Sequence, residues 1–297
     1  MVAVTPRTIR REANAKINVF LRVLGDREDG YHEVQSLVLP ISLADRVNVS
    51  AGSRLRVKVN DEASRSGDVS FGGLNLALVA ALAVADRCPD AGGALIEIDK
   101  RIPVAAGLGG GSADAAATLD AVNELWGCGL QADELAELGE RIGSDVPAML
   151  ARTPVLVTGR GERLEPVEVP PFDWVLVRCP FGVRSPDAYR WWDEMGGHAA
   201  AGHVSSDPAR VLAAAGTGDA EALGPLLFND LEAPVVARHP QVFEAKKELL
   251  AAGAFGSVMS GSGSSVVGLA RDAAHAAEIA RGITDAVAVV GPPRGKG

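Results

Sequence analysis

The spacing of apolar residues along the chain has two periods, each typical of one kind of secondary structure. Between residues 17 and 23 every second residue is aliphatic, which predicts a β-strand. Between residues 116 and 126 apolar residues recur at intervals of three and four, which predicts one face of an α-helix. By the same patterns, further strands are expected at 34–39, 45–50, 55–59, 94–99, 155–158, 174–178 and 286–290. Further helices are expected at 75–88, 133–141, 240–251 and 270–281.

A glycine-rich loop leads into the helix predicted at 116–126. It consists of Gly107, Gly109, Gly110 and Gly111, directly followed by Ser112. Because glycine has no Cβ, the backbone N–H groups of such a loop can approach a ligand closely. The start of a helix adds unpaired N–H groups and the positive end of the helix dipole, which together bind anions. The loop is therefore a candidate phosphate site, and Ser112 is expected to cap the helix or to offer its hydroxyl to a phosphate or its metal ion.

Two well-known phosphate motifs do not fit this loop. A Walker A loop has Lys and then Ser or Thr after its last glycine, whereas Gly111 is followed by Ser112 and Ala113. The Rossmann fingerprint requires glycine where Ser112 stands, and it directly follows a strand. Here Pro103 separates the loop from the strand predicted at 94–99. The alternative interpretation is a glycine-rich turn that binds no ligand.

Two candidate groups lie near the N-terminus. Lys16 and Asn18 occupy alternate positions of the first predicted strand, so both side chains point to one face. Their ordinary alternatives are a solvated lysine and a hydrogen bond at the end of a strand. Tyr31 and His32 follow a predicted turn and could stack on, and hydrogen-bond to, a base or a sugar. Their alternative is a half-buried aromatic pair.

Further candidates stand at the ends of predicted elements. Lys100 and Arg101 come just before the glycine-rich loop and could meet a phosphate, although basic residues at a strand end are common on surfaces. Asp145 precedes a helix that starts with proline, so capping of that helix is the alternative to a chemical role. Ser185 is expected to cap another helix, with Pro186 in its first position.

The composition and net charge of the chain argue against some classes of binding partner. The chain has 297 residues and a formal net charge of −9, which argues against nucleic acid or an anionic membrane surface as partner but not against a phosphorylated substrate. Its three cysteines are far apart, and we expect them to be buried thiols of a reducing cytosol, neither zinc ligands nor disulfides. No apolar run approaches membrane-spanning length, so a cytoplasmic protein is expected.

Three motifs in order resemble the GHMP kinases, the galacto-, homoserine, mevalonate and phosphomevalonate kinases. They are the strand that carries Lys16, the Pro-x-x-x-Gly-Leu-Gly-Gly-Gly-Ser-x-Asp-Ala-Ala run from Pro103, and the Ser-Gly-Ser-Gly-Ser run at 260–264. The resemblance extends over nearly the whole chain. Within the family, the Asn-Ala-Lys-Ile-Asn run at 14–18 and the Gly-Tyr-His run at 30–32 are similar to the branch that phosphorylates a cytidine-diphosphate-linked methylerythritol. Asn14 departs from this branch, which usually has proline there.

The resemblance implies an α+β fold with two domains. Residues 1–160 would form the ATP-binding domain, similar to domain 2 of ribosomal protein S5, and residues 161–297 a ferredoxin-like domain. It also implies transfer of the γ-phosphate of ATP, with Mg²⁺, to the 2-hydroxyl of CDP-methylerythritol. This reaction belongs to the methylerythritol phosphate route to isoprenoid precursors. A monomer or weak homodimer is expected, with ATP and the small-molecule substrate as partners.

The family pattern also implies roles for individual residues. Lys16 and Asp145 would be catalytic. The sequence shows no tightly held protein ligand for Mg²⁺; because Mg²⁺ often keeps several waters, Ser112 and the ATP phosphates are the expected ligands. The implied ATP-binding residues are Asn75, Leu76, Lys100, Pro103, Val104, Ala105, Ala106, Gly107, Leu108, Gly109, Gly110, Gly111, Ser112 and Ala113. The implied substrate-binding residues are Asn18, Tyr31, His32, Ser185 and Tyr189, the two tyrosines and the histidine at a cytosine.

The residue types fit phosphoryl transfer, and two alternatives remain. Asp145 can accept the proton of the attacking hydroxyl, while a nearby Lys16 would keep that carboxylate ionised and lower the pKa of the alcohol. One alternative is a kinase of homoserine or mevalonate, whose substrates carry no base for Tyr31 and His32. The other is a nucleotide-binding module without catalysis, which the presence of both Lys16 and Asp145 disfavours.

Overall fold

The computed structural model describes residues 7–61, 75–197 and 207–293, which form two compact units. The first unit contains the described parts of 1–15, 43–104 and 109–152; the second contains those of 16–42, 105–108 and 153–297. The units interleave along the chain, so the consecutive domains 1–160 and 161–297 stay a prediction. No helix within the described ranges is long and apolar enough to cross a membrane.

The strands and helices follow the predicted pattern closely. The strands are β1 (Thr8–Asp26), β2 (His32–Gly52), β3 (Arg56–Asp61), β4 (Gly93–Lys100), β5 (Val155–Gly159), β6 (Arg163–Pro166), β7 (Phe172–Val177), β8 (Phe228–Asn229), β9 (Gly256–Met259), β10 (Val266–Leu269) and β11 (Ala286–Gly291). The helices are α1 (Leu76–Ala85), α2 (Gly110–Trp126), α3 (Ala132–Ile142), α4 (Val146–Ala151), α5 (Ser185–Glu194), α6 (Pro208–Thr217), α7 (Ala220–Leu223), α8 (Glu232–Arg238), α9 (Gln241–Ala251) and α10 (Ala273–Gly282). The separate strands expected at 34–39 and 45–50 are one continuous strand, because the segment with Pro40 is extended too.

In the first unit, α1 to α4 pack together beside a sheet. The part of β2 beyond residue 45 pairs antiparallel with β4, and β4 pairs parallel with β3. Fully buried aliphatic residues of β2 and β4, such as Val47, Val49, Ile96 and Ile98, fill the inner face. Helix α2 lies between two left-handed glycines, Gly109 (φ +68°) and Gly127 (φ +66°). Glycine adopts this conformation at little cost, so the two residues set where α2 begins and ends.

A disulfide joins the segments that follow α1 and α2, which corrects the expectation of unpaired cysteines. Cys88 and Cys128 are bonded, with their Cα atoms 5.3 Å apart, while Cys179 is free. The two cysteines are 40 residues apart in the sequence, so their spacing did not predict the bond. Only the packing of α1 against α2 brings the ends of the two helices together.

The second unit contains a four-stranded antiparallel sheet in the order β11-β7-β10-β9. Numbered along the chain, these strands stand in the order 4-1-3-2, and α10 connects β10 to β11. This is the arrangement of a ferredoxin-like β-α-β-β-α-β unit, as expected for the C-terminal part. Its buried core includes Trp174 and Leu176 of β7. Elsewhere in this unit, β1 pairs parallel with β8, and β2 pairs antiparallel with β5.

Candidate active site

A buried polar network surrounds Lys16 on β1. Lys16 is 5% exposed, and its Nζ donates to Asn18 Oδ1 at 2.7 Å. Asn18 Nδ2 donates to Ser36 Oγ at 2.7 Å, and Ser36 Oγ donates to the carbonyl of Phe20 at 2.5 Å. The interpretation of Lys16 as a solvated strand lysine is therefore wrong. Because Asn18 is held from both ends, it fixes the direction in which the lysine points.

Two loops of the second unit meet this network. The first is the short segment 105–108, and the second, which we call the serine-glycine loop, comprises residues 260–265. Ser260 Oγ donates to the carbonyl of Gly107 at 3.0 Å and accepts from the backbone N–H of Asn18 at 3.4 Å. The N–H of Lys16 donates to the carbonyl of Leu108 at 3.0 Å. The second and third sequence motifs are thus anchored on the strand that carries the first.

Glycine is required where these loops pass closest. Gly261 has φ +54°, and a Cβ there would lie 2.8 Å from Lys16 Nζ and 3.3 Å from Asn18 Oδ1. Gly107 has φ +75°, and its Cβ would overlap the carbonyl of Ser260. Neither position has room for a side chain. Both glycines are explained by close packing as well as by backbone conformation.

The remaining residues of segment 103–108 differ in exposure. Pro103 is half-buried and Val104 is 46% exposed, whereas Ala106 and Leu108 are buried. Ala105 adopts a left-handed conformation with φ +53°. Its carbonyl accepts from the N–H of Val183 at 2.9 Å, and the carbonyl of Ala106 accepts from the N–H of Ser265 at 3.1 Å. These bonds hold the segment in its irregular path.

In the first unit, the rest of the glycine-rich loop starts α2. Gly109 is the N-cap and Gly110 the first helical residue, so Ser112 does not cap the helix. It lies within the first turn instead. Ala113 is buried, and its N–H donates to the carbonyl of Gly109 at 2.9 Å. This end of α2 keeps the geometry of an anion site.

Lys100 lies beneath this helix start in a buried cluster of charges. Its Nζ contacts Asp45 and also donates to Asp114 Oδ2 at 2.8 Å, and all three residues are at most 7% exposed. Asp45 Oδ1 accepts the N–H groups of Arg101 and Ile102 at 2.5 and 2.8 Å. The alternative of an ordinary surface cation is therefore wrong for Lys100, and its place at the ATP site stays a prediction. Asp45 fixes the chain that enters the glycine-rich loop.

Two carboxylates share one ammonium in this cluster, which changes the ionisation of Asp114. Burial, together with the negative charge of Asp45, raises the pKa of Asp114 to about 7, while Lys100 opposes the shift. Burial disfavours the ammonium of Lys100, but Asp114 and Asp45 together raise its pKa above the ordinary value. Asp114 Oδ1 is buried with no hydrogen-bond partner among the described residues. Asp114 is therefore the group that takes up a proton.

Replacing Asp114 by Asn should change how stability depends on pH. The pKa of Asp114 in the folded chain, about 7, lies above its ordinary value of 3.8, so the folded chain binds more protons between these pH values and loses stability as the pH rises. Asn removes this loss and leaves Lys100 paired with Asp45. The Tm of D114N relative to wild type should therefore rise by several degrees from about pH 5 to about pH 8. Parallel Tm profiles would contradict a shared proton in the cluster.

Asn75 and Leu76 stand at the start of α1. Asn75 Oδ1 accepts the N–H of Ala77 at 2.9 Å, so Asn75 caps the helix and its side chain is exposed. A Cβ on Gly111 would lie 3.6 Å from Leu76 Cδ1. The structure thus brings Leu76 next to the end of the glycine-rich loop, and its place beside a nucleotide stays a prediction.

Asp145 occupies the N-cap position of α4, but its carboxylate makes no capping bond there. The side chain is exposed, and the carbonyl of Asp145 accepts the N–H of Met149 at 3.1 Å. The capping role considered from the sequence is therefore wrong. Asp145 belongs to the first unit and Lys16 to the second, and their roles stay predictions.

In the second unit, His32 and Tyr189 stack on each other. Their ring centroids are 4.8 Å apart with planes inclined by 25°. His32 Nε2 lies 2.8 Å from Asp193 Oδ1 and 3.2 Å from Asp26 Oδ1. In a neutral ring that donates from Nε2 to these carboxylates, Nδ1 is an acceptor. The two rings therefore form one surface and do not enclose a base between them.

Two other predicted substrate residues have different surroundings. Tyr31 is 49% exposed, and the guanidinium of Arg160 lies 5.0 Å from its ring centroid. Ser185 was expected to cap α5, but Arg184 is the N-cap and Ser185 the first helical residue. Pro186 is therefore the second helical residue, not the first. The hydroxyl of Ser185 lies 3.1 Å from Ser262 Oγ of the serine-glycine loop.

The implied Mg²⁺ fits a site with few protein ligands. Mg²⁺ prefers oxygen ligands and usually keeps several waters, and Ser112 offers one hydroxyl oxygen in the first turn of α2. In the part of the chain that the structure describes, Asp26, His32 and Asp193 form a group of metal-binding residue types with ligand atoms within 4.8 Å. An imidazole suits transition metals better than Mg²⁺. A magnesium ion would therefore be held mainly by nucleotide and water, with Ser112.

Sequence reasoning missed several residues of these networks. Ser36, Asp45 and Asp114 are buried polar residues within apolar stretches of strands or a helix. Such an interruption is a signal that sequence alone can supply, because a buried polar group requires a partner. The identity of each partner depends on tertiary packing.

Comparisons with known proteins agree with the three motifs. A family model described as GHMP kinases N terminal domain matches residues 75–152, and one described as GHMP kinases C terminal matches residues 211–289. The 4-diphosphocytidyl-2-C-methyl-D-erythritol kinase of Symbiobacterium thermophilum is 42% identical over 262 residues, 88% of this chain and 90% of that protein. The kinase of the same name from Nocardia farcinica is 39% identical over 281 residues, 94% of this chain and 91% of that protein.

Solved structures support the fold. The crystal structure of a 4-(cytidine 5'-diphospho)-2C-methyl-D-erythritol kinase has a TM-score of 0.78 and 34% identity, covering 95% of this chain and 99% of that one. A homoserine kinase from Cytophaga hutchinsonii has a TM-score of 0.67 at 19% identity, covering 98% of this chain and 96% of that one, and shows the fold alone. The expected two-domain fold of mixed helices and sheets is thereby confirmed. The chain belongs to the GHMP kinase family.

Proposed function

We propose that this chain transfers the γ-phosphate of ATP to the 2-hydroxyl of 4-diphosphocytidyl-2-C-methyl-D-erythritol, giving the 2-phosphate and ADP. The relatives at 39–42% identity over about nine-tenths of the chain carry this substrate in their names. The observation that carries the proposal is the His32–Tyr189 surface, since homoserine and mevalonate have no base to place there.

In our proposal the cytosine end of the substrate is recognised by the neutral ring of His32. With Nε2 protonated toward Asp193, the neutral ring offers Nδ1 as an acceptor. The 4-amino group of cytosine is a donor, whereas uracil has an acceptor oxygen there. Tyr189 would support the imidazole from behind, and Tyr31 and Ser185 would complete the substrate pocket.

Phosphoryl transfer needs an activated hydroxyl and neutralised charge on the transferring group. In our proposal Asp145 accepts the proton of the 2-hydroxyl and Lys16 supplies positive charge, with Asn18 next to it near the substrate. Backbone N–H groups of segment 103–113 bind the phosphates of ATP, and Mg²⁺ neutralises part of their charge when bound. Asn75 and Leu76 lie beside the adenine. Lys100 supports the ATP site through its buried ion pairs.

The proposal extends to the setting of the enzyme. A small-molecule kinase with ATP and CDP-methylerythritol as partners, and neither nucleic acid nor membrane, is what the net charge of −9 favours. We place it in the cytoplasm, as a monomer or weak homodimer, within the methylerythritol phosphate route to isoprenoid precursors.

The test is an assay of ADP release with ATP and Mg²⁺. The purified chain is offered the cytidyl-diphospho-methylerythritol, homoserine and mevalonate in parallel. We expect ADP release with the first acceptor only, in amounts equal to the phosphorylated product. Release with homoserine or mevalonate instead would assign another branch of the family. Intact ATP binding without release on any acceptor would favour the non-catalytic module.

A further inference from the structure

The polar segment at residues 229–232 runs from the end of β8 to the first residue of α8 and has no role in the proposal above. Asn229 is 7% exposed, and its Nδ2 donates to the carbonyls of Met259 and Gly261, both at 2.7 Å. Its Oδ1 accepts the N–H of Leu231 at 2.9 Å. One buried amide therefore holds the backbone on both sides of Ser260, where the serine-glycine loop begins.

The neighbours of Asn229 attach the same segment to β1. Asp230 Oδ2 accepts the N–H of Val23 at 2.9 Å, and the N–H of Asp230 donates to the carbonyl of Leu21, also at 2.9 Å. Glu232 Oε2 accepts the N–H of Met259 at 3.0 Å. Segment 229–232 is thus bonded to the strand that carries Lys16 and to the loop that packs on it.

The position of the serine-glycine loop matters because it touches the groups around Lys16. A Cβ on Gly261 would lie only 2.8 Å from Lys16 Nζ, so the loop already packs against the lysine. Ser260 bonds to the carbonyl of Gly107 in the neighbouring loop. A displacement of the carbonyl of Gly261 by even part of an ångström would change the surroundings of the Lys16 ammonium.

We propose that Asn229 is a positioning residue for phosphoryl transfer, which acts by holding the serine-glycine loop against Lys16 and Asn18. This inference rests on the proposed function for its catalytic consequence. The mechanism is geometric: two N–H bonds from one side chain fix the carbonyl of Met259, just before the loop, and that of Gly261 within it, and the loop in turn fixes the lysine. Small misplacements of groups at a reacting centre lower the rate far more than they weaken substrate binding.

Asn229→Asp is the sharpest substitution because it keeps the shape and removes the donor. The new carboxylate would face two carbonyl oxygens, which repel it, so the loop should move away from its present position. We expect kcat to fall about 30-fold while the KM for ATP changes by less than about threefold. Asn229→Ala, which removes both donated bonds and the bond accepted from Leu231 without adding charge, should also lower kcat.

Asn123 offers a matched control. Its Nδ2 donates to the carbonyl of Leu130 at 2.9 Å and its Oδ1 accepts the N–H of the same residue at 3.0 Å, so it also holds backbone through a partly buried amide. It lies near the C-terminal end of α2 in the first unit, whereas Lys16 and the serine-glycine loop belong to the second unit. Asn123→Ala should lower Tm to a similar extent and leave kcat within about twofold of wild type. Kinetics are compared at a temperature where every variant is folded.

Hydrogen exchange of the full-length chain supplies a readout independent of turnover. In N229A and N229D, peptides covering residues 256–266 should exchange faster than in wild type, and in N123A they should not. Unchanged exchange in this region would overturn the positioning role. So would a loss of kcat that is merely proportional to the loss of Tm in the Asn229 variants and in N123A alike. Absence of ADP release by the wild-type chain would refute the proposed function, and the catalytic role with it, while exchange would still show whether Asn229 holds the loop.

Discussion

Asp145→Asn should lower kcat by at least about 100-fold and leave the affinity for ATP nearly unchanged, because Asn cannot accept the proton of the 2-hydroxyl. The helix-capping alternative to this role does not hold. Asp145 stands at the N-cap of α4, but its carboxylate makes no capping bond. Asp145→Asn therefore removes no side-chain hydrogen bond that caps α4. Steady-state kinetics with the cytidyl substrate, together with calorimetric ATP binding, would measure both quantities.

Asp272 provides the control for this substitution. It is the N-cap of α10 and its Oδ1 accepts the N–H of His275 at 2.8 Å. Asn caps helices about as well as Asp, so D272N should change Tm only slightly and leave kcat intact. An unchanged kcat in D145N would show that another group acts as the base.

How far the sequence predicted the site depends on the range of the interactions involved. The strand of Lys16, the helix after the glycine-rich loop and the position of Asp145 before α4 follow from local periodicity and from turn and capping signals. These elements depend on neighbours a few residues away. The family resemblance extended the prediction to function, because three motifs in the right order are far more specific than any one of them.

What the sequence did not predict depends on contacts between distant segments. Lys100 reads as an exposed cation until packing places Asp45 and Asp114 beside it. The Cys88–Cys128 disulfide and the bonds from Asn229 to the serine-glycine loop arise in the same way. The local sequence pattern says little about which buried polar groups will contact each other in the folded chain. A buried charge nevertheless requires a partner. The sequence can therefore predict that such residues have partners, but not which residues the partners are.

Gly107→Ala should reduce kcat/KM by about 100-fold or more, since the added methyl group would overlap backbone atoms of a neighbouring loop. Gly107 has φ +75°, and a Cβ there would overlap the carbonyl of Ser260, a backbone atom that cannot turn aside as a side chain could. Either segment 105–108 or the serine-glycine loop must move. Both lie on the network of Lys16 and Asn18, so the movement should reach the lysine.

Gly129→Ala separates this clash from the cost of backbone conformation. Gly129 has a nearly identical φ of +70°, but a Cβ there would meet no atom within 4 Å. Both variants bear the left-handed strain of a non-glycine residue, about 1 kcal/mol or somewhat more. G129A should therefore lose some thermal stability and keep kcat/KM within about twofold of wild type. If G107A and G129A lose stability and activity equally, backbone strain alone explains why position 107 requires glycine. The close contact between the two loops would then play no part in catalysis.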